Sequence, residues 1–313
     1  MNKIKILLAD PRHKTVGSHS YFVPIGIGYI GSHLINQFKD QIEIKLSVDA
    51  QETFDILEKW KPDIIGISNY IWNTNLTSFL CEYAKKINKN TLCIGGGPEF
   101  PAGTGAFKIE NNQEDQTYDK SFKYMIDRPC IDYFAYSDGE VAFVEILKNF
   151  MKNNFSVKLM KEKNVVIQGC VSLDVKKEKL LVGNYIPRIG LKGSVKSEGR
   201  DEIPSPYTTG LLDKFLNGVF VPGFETARGC PFLCSFCDQG LDKNKITAFS
   251  AKRISEEISY VAKKLMKINS STKTISIFDS NWGLFEKDLR LADEILKIMD
   301  KYDYPKYIEC LTP

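Results

Sequence analysis

Three closely spaced cysteines constrain this chain more than any other feature. Cys230, Cys234 and Cys237 are separated by three and by two residues, and they follow an apolar run at residues 219–221. Thiolates hold iron–sulfur clusters, and short spacings allow one loop to wrap one cluster. A four-iron cluster with three protein thiolates leaves one iron open to a substrate or a cofactor. The spacing therefore predicts a 4Fe-4S site in a loop.

Two other interpretations of the cysteines remain open. A structural zinc site normally needs a fourth Cys or His ligand, and neither type occurs between Cys237 and Cys310. The histidines of the chain are His13, His19 and His33, all far away in the sequence. Three buried structural cysteines are the second alternative, although burial alone does not require this spacing.

Composition limits the class of protein. A chain of 313 residues is long enough for two domains. Lys and Arg number 42 against 39 Asp and Glu, a balance that does not indicate a nucleic-acid partner. No apolar run approaches the roughly 18 residues of a membrane span. Eight cysteines without secreted-type pairing indicate the cytoplasm, and we expect Cys81, Cys93, Cys130 and Cys170 to be small core residues.

Apolar strands alternate with amphipathic helices in the first half of the chain. Residues 63–68 form a nearly continuous apolar run, which is typical of a strand buried on both faces. Val141, Val144 and Leu147 have the spacing of one helix face. This alternation predicts an α/β fold with a doubly wound parallel sheet, in the flavodoxin-like strand order 2-1-3-4-5.

Unusual residues follow the carboxyl ends of these predicted strands, where ligands bind in open α/β sheets. Ser68 ends the third strand, a glycine triplet ends the fourth, and a Ser-Asp-Gly-Glu segment follows the fifth. Glycine allows a backbone to approach a bulky ligand closely, although a triplet can also be a tight turn. The residues that we predict to bind a cofactor at this edge are Ser68, Gly95, Gly96, Gly97, Gly139 and Glu140.

The connector and the second half have a different pattern. Residues 165–173 and 179–182 indicate a hairpin, and residues 190–199 a basic linker. A strand at 219–226 then places the cysteines at its carboxyl end, where parallel barrels have their chemistry. Ser250 is expected to cap a helix. The predicted domains are residues 1–152 (cofactor-binding sheet), 153–218 (connector with a hairpin) and 219–313 (incomplete barrel).

The cysteine segment resembles the cluster loop of the radical S-adenosylmethionine enzymes in its Arg-Gly-Cys-Pro and Ser-Phe-Cys context. The resemblance implies that Cys230, Cys234 and Cys237 bind a 4Fe-4S cluster whose fourth iron chelates S-adenosylmethionine. In that family the reduced cluster cleaves the sulfonium to a 5′-deoxyadenosyl radical. Phe236 matches the aromatic residue that contacts the adenine.

Asp279 and Asn281 follow the second predicted strand of this half. In the resembling family this place holds the amino group of the methionine, and a carboxylate or an amide can accept hydrogen bonds from an ammonium. The alternative, that both are ordinary turn residues, remains open. Glu225 and Arg228, which flank the cysteines, are expected to pair with each other structurally.

The first half resembles the cobalamin-binding domain that precedes many radical S-adenosylmethionine enzymes. The motifs are Pro-Ile-Gly-Ile-Gly at residues 24–28, the apolar strand at 63–68, the glycine triplet, and Ser-Asp-Gly-Glu at 137–140. The resemblance implies a corrin at the carboxyl edge of the sheet. One departure concerns the axial histidine of the Asp-x-His-x-x-Gly motif. Arg12 occupies its place here, and His13, one residue later, is either the axial ligand or an ordinary loop histidine.

The resemblance covers the entire chain, but this chain corresponds to only part of the family. A family barrel needs about six βα units, whereas three strands and two helices are predicted from residue 219 onwards. We therefore expect a C-terminally truncated barrel, with the remainder supplied by a longer protein or by a partner.

The predicted function is methyl transfer to an unactivated carbon by a cobalamin-dependent radical S-adenosylmethionine enzyme. The resemblance implies a small-molecule substrate and an electron donor such as a flavodoxin or a ferredoxin; no catalytic residue is assigned. Two alternatives remain: a cobalamin-free radical enzyme with a vestigial first domain, and a non-catalytic cofactor-binding fragment or subunit. Methylthiotransferases would need three more clustered cysteines, and Cys81, Cys93 and Cys130 do not look like such a set.

Overall fold

The chain forms two compact units. One comprises Met1–His13 and Leu34–Arg188, and the other comprises Lys14–His33 and Ile189–Pro313. The predicted three-domain division stays a prediction. The computed structural model describes residues 3–12, 21–101, 116–174, 176–190, 199–232, 234, 237 and 246–312.

The first unit is built on a seven-stranded sheet. Its strands are β1 Ile4–Ala9, β2 Ile42–Ser47, β3 Ile64–Ser68, β4 Leu92–Gly96, β5 Tyr133–Ala135, β6 Cys170–Asp174 and β7 Lys179–Val182. They lie in the order β2-β1-β3-β4-β5-β6-β7. The first five are parallel, whereas β6 and β7 are antiparallel. An α/β fold with a mostly parallel central sheet is therefore confirmed.

The helices of this unit follow the strands, as crossover connections between parallel strands require. They are α1 Ile25–Phe38, α2 Ala50–Trp60, α3 Thr74–Ile87, α4 Gln116–Ile126, α5 Gly139–Lys152 and α6 Val157–Glu162. Four of the five residues of β3 are buried, and the same holds for β4. Such strands, apolar on both faces, form the centre of the core. Helix α1 is shared, since its residues up to His33 group with the second unit.

The predicted hairpin forms, and it extends the sheet of the first unit. Strand β6 pairs with β5 through Phe134 and Val171, and β7 pairs with β6. The sequence did not indicate the short helix α6, because six residues are too few for a periodic stripe. Its start is fixed locally, since the Ser156 hydroxyl accepts a hydrogen bond from the Leu159 amide at 3.2 Å.

The second unit contains two small sheets and two long helices. Its elements are β8 Gly223–Phe224, β9 Ala227–Arg228, β10 Thr247–Ala248, α7 Ala251–Lys267, β11 Thr274–Ile277, α8 Glu286–Tyr302 and β12 Tyr307–Cys310. Strands β12, β11 and β8 form a parallel sheet in that order, and β10 pairs antiparallel with β9. Within the described parts of the chain, no helix combines the length and the apolar character that a membrane crossing needs.

The strand predicted at residues 219–226 is shorter than expected. It pairs with β11 through Gly223 and Phe224, and the chain then turns to form β9. A Cβ on Gly223 would lie 2.1 Å from the ring of Phe278, so glycine is needed for that ring to pack. Beyond Phe224, the backbone N–H groups of Thr226 and Ala227 donate to the side chain of Asp279 instead of to a neighbouring strand.

Helix α7 offers a test of local structure. The Ser250 hydroxyl accepts a hydrogen bond from the Arg253 amide at 3.1 Å, which confirms the predicted cap. Ser250→Ala should lower the free energy of unfolding by about 1 kcal/mol, because one helix N–H loses its partner. Ser255→Ala, at a partly exposed position of the same helix, should change it by less than about 0.5 kcal/mol. Urea unfolding measures both, and equal losses would show that the cap contributes nothing specific.

Candidate functional site

The carboxylate of Asp279 fixes the backbone that leads into the cysteine loop. Its Oδ1 accepts hydrogen bonds from the amides of Thr226 at 2.6 Å and of Ala227 at 3.0 Å. Its Oδ2 accepts a further hydrogen bond from the Thr226 hydroxyl. Asp279 is 4% exposed. We call these contacts the Asp279 clasp; they tie the end of β11 to the segment before the first cysteine.

Lys287 of α8 completes the Asp279 clasp. Its Nζ donates to the Thr226 hydroxyl at 2.9 Å and lies 3.9 Å from Asp279 Oδ2. Burial raises the pKa of Asp279 to about 6, and the hydrogen bonds from Thr226 and Ala227 and the charge of Lys287 partly oppose that rise. Lys287 could not be selected from the sequence, because it is one of many lysines and its role depends on the packing of α8.

The cysteine loop begins two residues after the clasp. Gly229 has a φ of 107°, a left-handed conformation that favours glycine, and Cys230 follows it. Cys230 and Cys237 are partly exposed and Cys234 is exposed. The amide of Cys237 donates to the carbonyl of Cys234 at 3.1 Å, so the last two cysteines share one turn. Accessible thiols in a turn differ from structural core cysteines, which are buried.

Asn281 connects the end of β11 to this loop. Its side-chain amide donates a hydrogen bond to the sulfur of Cys230 at 3.2 Å. The structure therefore brings one predicted cofactor-binding residue next to one predicted cluster ligand. Among the described residues, no three His, Cys, Asp or Glu side chains are arranged to hold a metal ion. Phe236, predicted to contact the adenine, lies outside the described residues.

Glu225 and Arg228 pair as expected. The Arg228 guanidinium donates to both carboxylate oxygens of Glu225, from Nε at 2.8 Å and from Nη2 at 2.9 Å. Arg200 donates to the same carboxylate at 3.0 Å, and this third member was not predicted. It directly follows the basic linker predicted at residues 190–199.

A second cluster of predicted residues lies at the carboxyl edge of the seven-stranded sheet. Ser68 ends β3 and is partly exposed. The next residue, Asn69, is fully buried; its side-chain amide donates to the Tyr124 hydroxyl, and its Oδ1 has no hydrogen-bond partner among the described residues. A buried acceptor without a partner needs an explanation, such as water or a ligand. The sequence places Asn69 with Ser68 among the unusual residues at this strand end, although only Ser68 was predicted to bind a cofactor.

Local packing explains two glycines of the triplet, and the third has space beside it. A Cβ on Gly95 would lie 2.7 Å from the ring of Phe134. Gly97 has a φ of 128°, and its Cβ would lie 2.5 Å from the carbonyl oxygen of Asn69. A Cβ on Gly96 would make only ordinary contacts, at 3.8 Å. Local packing thus accounts for Gly95 and Gly97, whereas at Gly96 it leaves room.

The remaining predicted residues of this edge are placed less decisively. Gly139 begins α5, and Glu140 is 4% exposed in its first turn. Arg12 donates to Asp10 from Nη2 at 2.6 Å, so it forms an ion pair within the loop that carries the departure from the cobalamin motif. His13 lies outside the described residues.

Four of the five cysteines outside the loop are core residues, as predicted. Cys81, Cys93, Cys130 and Cys170 are all buried. The first three belong to one apolar cluster, although they lie on different elements. Separately, a cavity of about 380 Å³ lies between α7 and α8, lined by Tyr260 and Lys263 among others; it contains none of the predicted site residues.

The clasp predicts a pH dependence of stability. The pKa of Asp279 is raised in the folded protein, so the folded state binds more protons than the unfolded state between about pH 4 and pH 6. This group therefore lowers the free energy of unfolding as pH rises through that range, by up to about 3 kcal/mol. In Asp279→Asn this contribution should disappear. Urea unfolding of both proteins at pH 4 and pH 7 measures it, and identical pH profiles would contradict it.

The glycine triplet predicts a contrast between neighbours. Gly97→Ala should lower the free energy of unfolding by about 1–3 kcal/mol or more, because alanine is strained at this φ and meets the Asn69 carbonyl. Gly96→Ala should change it by less than about 1 kcal/mol, because its neighbours leave space. Thermal unfolding compares the two; similar losses would show that both glycines are kept for packing.

The sequence comparison and the fold comparison find the same class of proteins. No family model matches the chain. The chain is 25% identical over 307 residues to the cobalamin-dependent radical SAM methyltransferase TokK of Streptomyces tokunonensis, covering 94% of this chain and 39% of TokK. It is 25% identical over 254 residues to a 2-(S-pantetheinyl)-carbapenam-3-carboxylate methyltransferase of Streptantibioticus cattleyicolor, covering 79% and 31%. It is 28% identical to an uncharacterised methyltransferase of Pyrococcus horikoshii, covering 95% and 59%.

The fold is similar to that of OxsB, a cobalamin-dependent S-adenosylmethionine radical enzyme solved with aqua-cobalamin and S-adenosylmethionine bound. The TM-score is 0.64 at 16% identity, over 97% of this chain and 38% of OxsB. The chain thus spans between about a third and three fifths of the length of the curated relatives it matches. These comparisons confirm the resemblance that the cysteine and sheet-edge motifs carry, and over most of its length the chain is similar to proteins named as cobalamin-dependent radical S-adenosylmethionine enzymes.

Proposed function

We propose that this chain carries the cluster-binding and cofactor-binding parts of a cobalamin-dependent radical S-adenosylmethionine methyltransferase. The observation that carries the proposal is the hydrogen bond from Asn281 to the sulfur of Cys230. It joins two residues that were predicted separately, one as a cofactor contact and one as a cluster ligand. A set of buried structural cysteines gives no reason for this pairing, and a structural zinc site would need a fourth Cys or His ligand.

The donor set fits a 4Fe-4S cluster held by Cys230, Cys234 and Cys237. Thiolates are the ligands of such clusters, and all three thiols are at least partly exposed. When bound, the cluster supplies the electron that cleaves S-adenosylmethionine. Donors to a ligand sulfur fix its orientation and tune the metal group, and the amide of Asn281 is placed to do so.

The residues around the loop have different proposed roles in binding S-adenosylmethionine. We assign contacts with S-adenosylmethionine to Asn281 and Phe236. Asp279 was predicted to hold the methionine ammonium, and that role stays a prediction. Its carboxylate accepts three hydrogen bonds from Thr226 and Ala227, so an ammonium would have to share an occupied acceptor.

Cobalamin would lie against the carboxyl edge of the seven-stranded sheet. Gly96 offers a half-buried backbone with room beside it, and Asn69 Oδ1 is an acceptor in need of a donor. Both fit a large ligand with peripheral amide groups. The residues that we propose for this cofactor are Ser68, Gly95, Gly96, Gly97, Gly139, Glu140 and, as the axial-ligand candidate, His13.

The wider description belongs to the same proposal. We assign the first unit to the flavodoxin-like cobalamin-binding class and the sheet of β8, β11 and β12 to the first part of a radical S-adenosylmethionine barrel. The substrate would be a small molecule methylated on an unactivated carbon, and the electron donor a flavodoxin or a ferredoxin in the cytoplasm. Strand β12 is an edge strand of its sheet, where a further strand of the barrel would pair.

Anaerobic reconstitution tests the proposal. The protein is incubated with iron, sulfide and hydroxocobalamin, desalted, and measured by optical and EPR spectroscopy. We expect a reduced 4Fe-4S signal that S-adenosylmethionine perturbs, together with retained corrin absorbance. Cys234→Ala should abolish the cluster signal, because three thiolates are needed. Cys310→Ala, a partly exposed cysteine outside the loop, should leave it unchanged.

Each other outcome selects an alternative. A cluster without retained corrin indicates a cobalamin-free radical enzyme with a vestigial first unit. A chain that retains neither group is a fragment or subunit that needs the rest of a larger protein. A cluster signal in Asn281→Ala that no longer responds to S-adenosylmethionine supports the contact assigned to this amide.

A further inference from the structure

A partly buried ion network lies at the base of the cysteine loop. Glu225 accepts hydrogen bonds from Arg200 at 3.0 Å and from the fork of Arg228 at 2.8 and 2.9 Å. The carboxylate of Glu225 therefore connects two arginines that are 28 positions apart in the sequence. Bidentate arginine–carboxylate pairs fix direction as well as distance.

Arg200 is buried to a degree that is unusual for an arginine. It is 1% exposed. Its guanidinium carbon lies 4.8 Å from the centroid of the Phe249 ring, and its Nη1 donates to the Thr247 hydroxyl at 3.5 Å. Removing such a charge from water is costly unless partners compensate. The surroundings of Arg200 hold its side chain in one orientation, toward Glu225.

The backbone around Arg200 is built for the same placement. Gly190 has a φ of 87°, and a Cβ on it would lie 2.9 Å from the backbone nitrogen of Arg200. A Cβ on Gly199 would lie 2.8 Å from the Cα of Gly190. Larger residues at either glycine would move Arg200 away from its partners. This close contact shows that Arg200 is part of the folded core of the second unit and not of a linker.

The network acts on the residues that lead to Cys230. Arg228 lies in β9, opposite Thr247 of β10. Its side chain is held by Glu225, and its backbone continues directly into Gly229 and Cys230. Arg200 contacts Thr247 of β10 and Glu225, which lies two residues before β9. Movement of Arg200 would therefore change the direction in which β9 enters the loop.

We propose that Arg200 is a positioning residue for the cysteine loop: through Glu225 and Arg228 it fixes the point from which Cys230 leaves β9. The inference deepens the proposed function and rests on it for its purpose, since a three-thiolate site requires its first cysteine in place before the cluster binds. In this role Arg200 acts through Glu225, Arg228 and the β9–β10 pair.

The test compares two buried arginines of the same unit. Arg200→Met removes the charge and the fork but keeps an apolar stem. Arg253→Met is the matched control, because Arg253 also lies against Phe249 at 4.7 Å and pairs with a buried carboxylate, Glu257, at 2.8 Å. Glu257 is on α7, so this second pair does not lead into the loop.

The first measurement is the alkylation rate of Cys230 in the metal-free protein, followed by mass spectrometry, with Cys310 as the internal reference. Arg200→Met should raise the Cys230 rate roughly tenfold, because thiol reagents follow local opening. Arg253→Met should leave it unchanged within about twofold. Arg200→Lys should give an intermediate rate, because lysine keeps the charge but lacks the planar fork.

The second measurement is the EPR spectrum of the reconstituted cluster. Arg200→Met should bind less iron or give altered g-values, whereas Arg253→Met should match the wild type. If both methionine variants speed Cys230 alkylation equally, or neither does, Arg200 has only a structural role. If Arg200→Met does not fold, Glu225→Gln tests the same link, and an unchanged Cys230 rate there overturns the inference.

The two proposals can fail separately. Alkylation needs no metal, so it decides the positioning role even if the wild type assembles no cluster. A wild type that assembles no cluster contradicts the proposed function. A wild-type cluster with unchanged Cys230 reactivity in Arg200→Met contradicts only the positioning role.

Discussion

The second unit depends on the carboxylate of Asp279, which accepts hydrogen bonds from backbone amides in place of a neighbouring strand. Parallel strands β8 and β11 are joined by a short ladder that ends at Phe224, and the Phe278 amide donates to the Phe224 carbonyl at 2.8 Å. The amides of Thr226 and Ala227, two and three residues further along the chain, would then have no strand partner. Asp279 accepts both. A side chain therefore determines how the chain leaves the sheet, and the cysteines follow from there.

This arrangement has an energetic cost that the fold must offset. Burial disfavours the charged carboxylate, and the pKa of Asp279 rises to about 6 for that reason. Two backbone donors, a hydroxyl and the ammonium of Lys287 favour the charged form. Glu225 is stabilised in the same way by Arg200 and Arg228. Two polar centres, one buried and one partly buried, thus act on four consecutive residues, 225–228, before the loop begins.

Sequence reasoning succeeded where structure is local. The period of apolar residues identified α7 and its Ser250 cap, and the continuous apolar run identified β3. It failed where a residue is defined by a distant partner. Arg200 was not selected from the sequence, because it directly follows the predicted linker at residues 190–199 and the sequence does not show that Gly190 and Gly199 meet or that Glu225 lies beside it. Lys287 was missed for the same reason, since its role depends on how α8 packs against β11.

The sheet edge shows why glycines in a motif must be separated by cause. Gly97 is required by the Asn69 carbonyl and by its own φ, and Gly95 by the Phe134 ring. Neither observation requires a ligand, because the chain itself explains both. Gly96 is different, since its neighbours would accept a side chain, and Asn69 Oδ1 is a buried acceptor without a partner among the described residues. Gly96 and Asn69 therefore support a bound corrin at this edge more strongly than the triplet as a whole does.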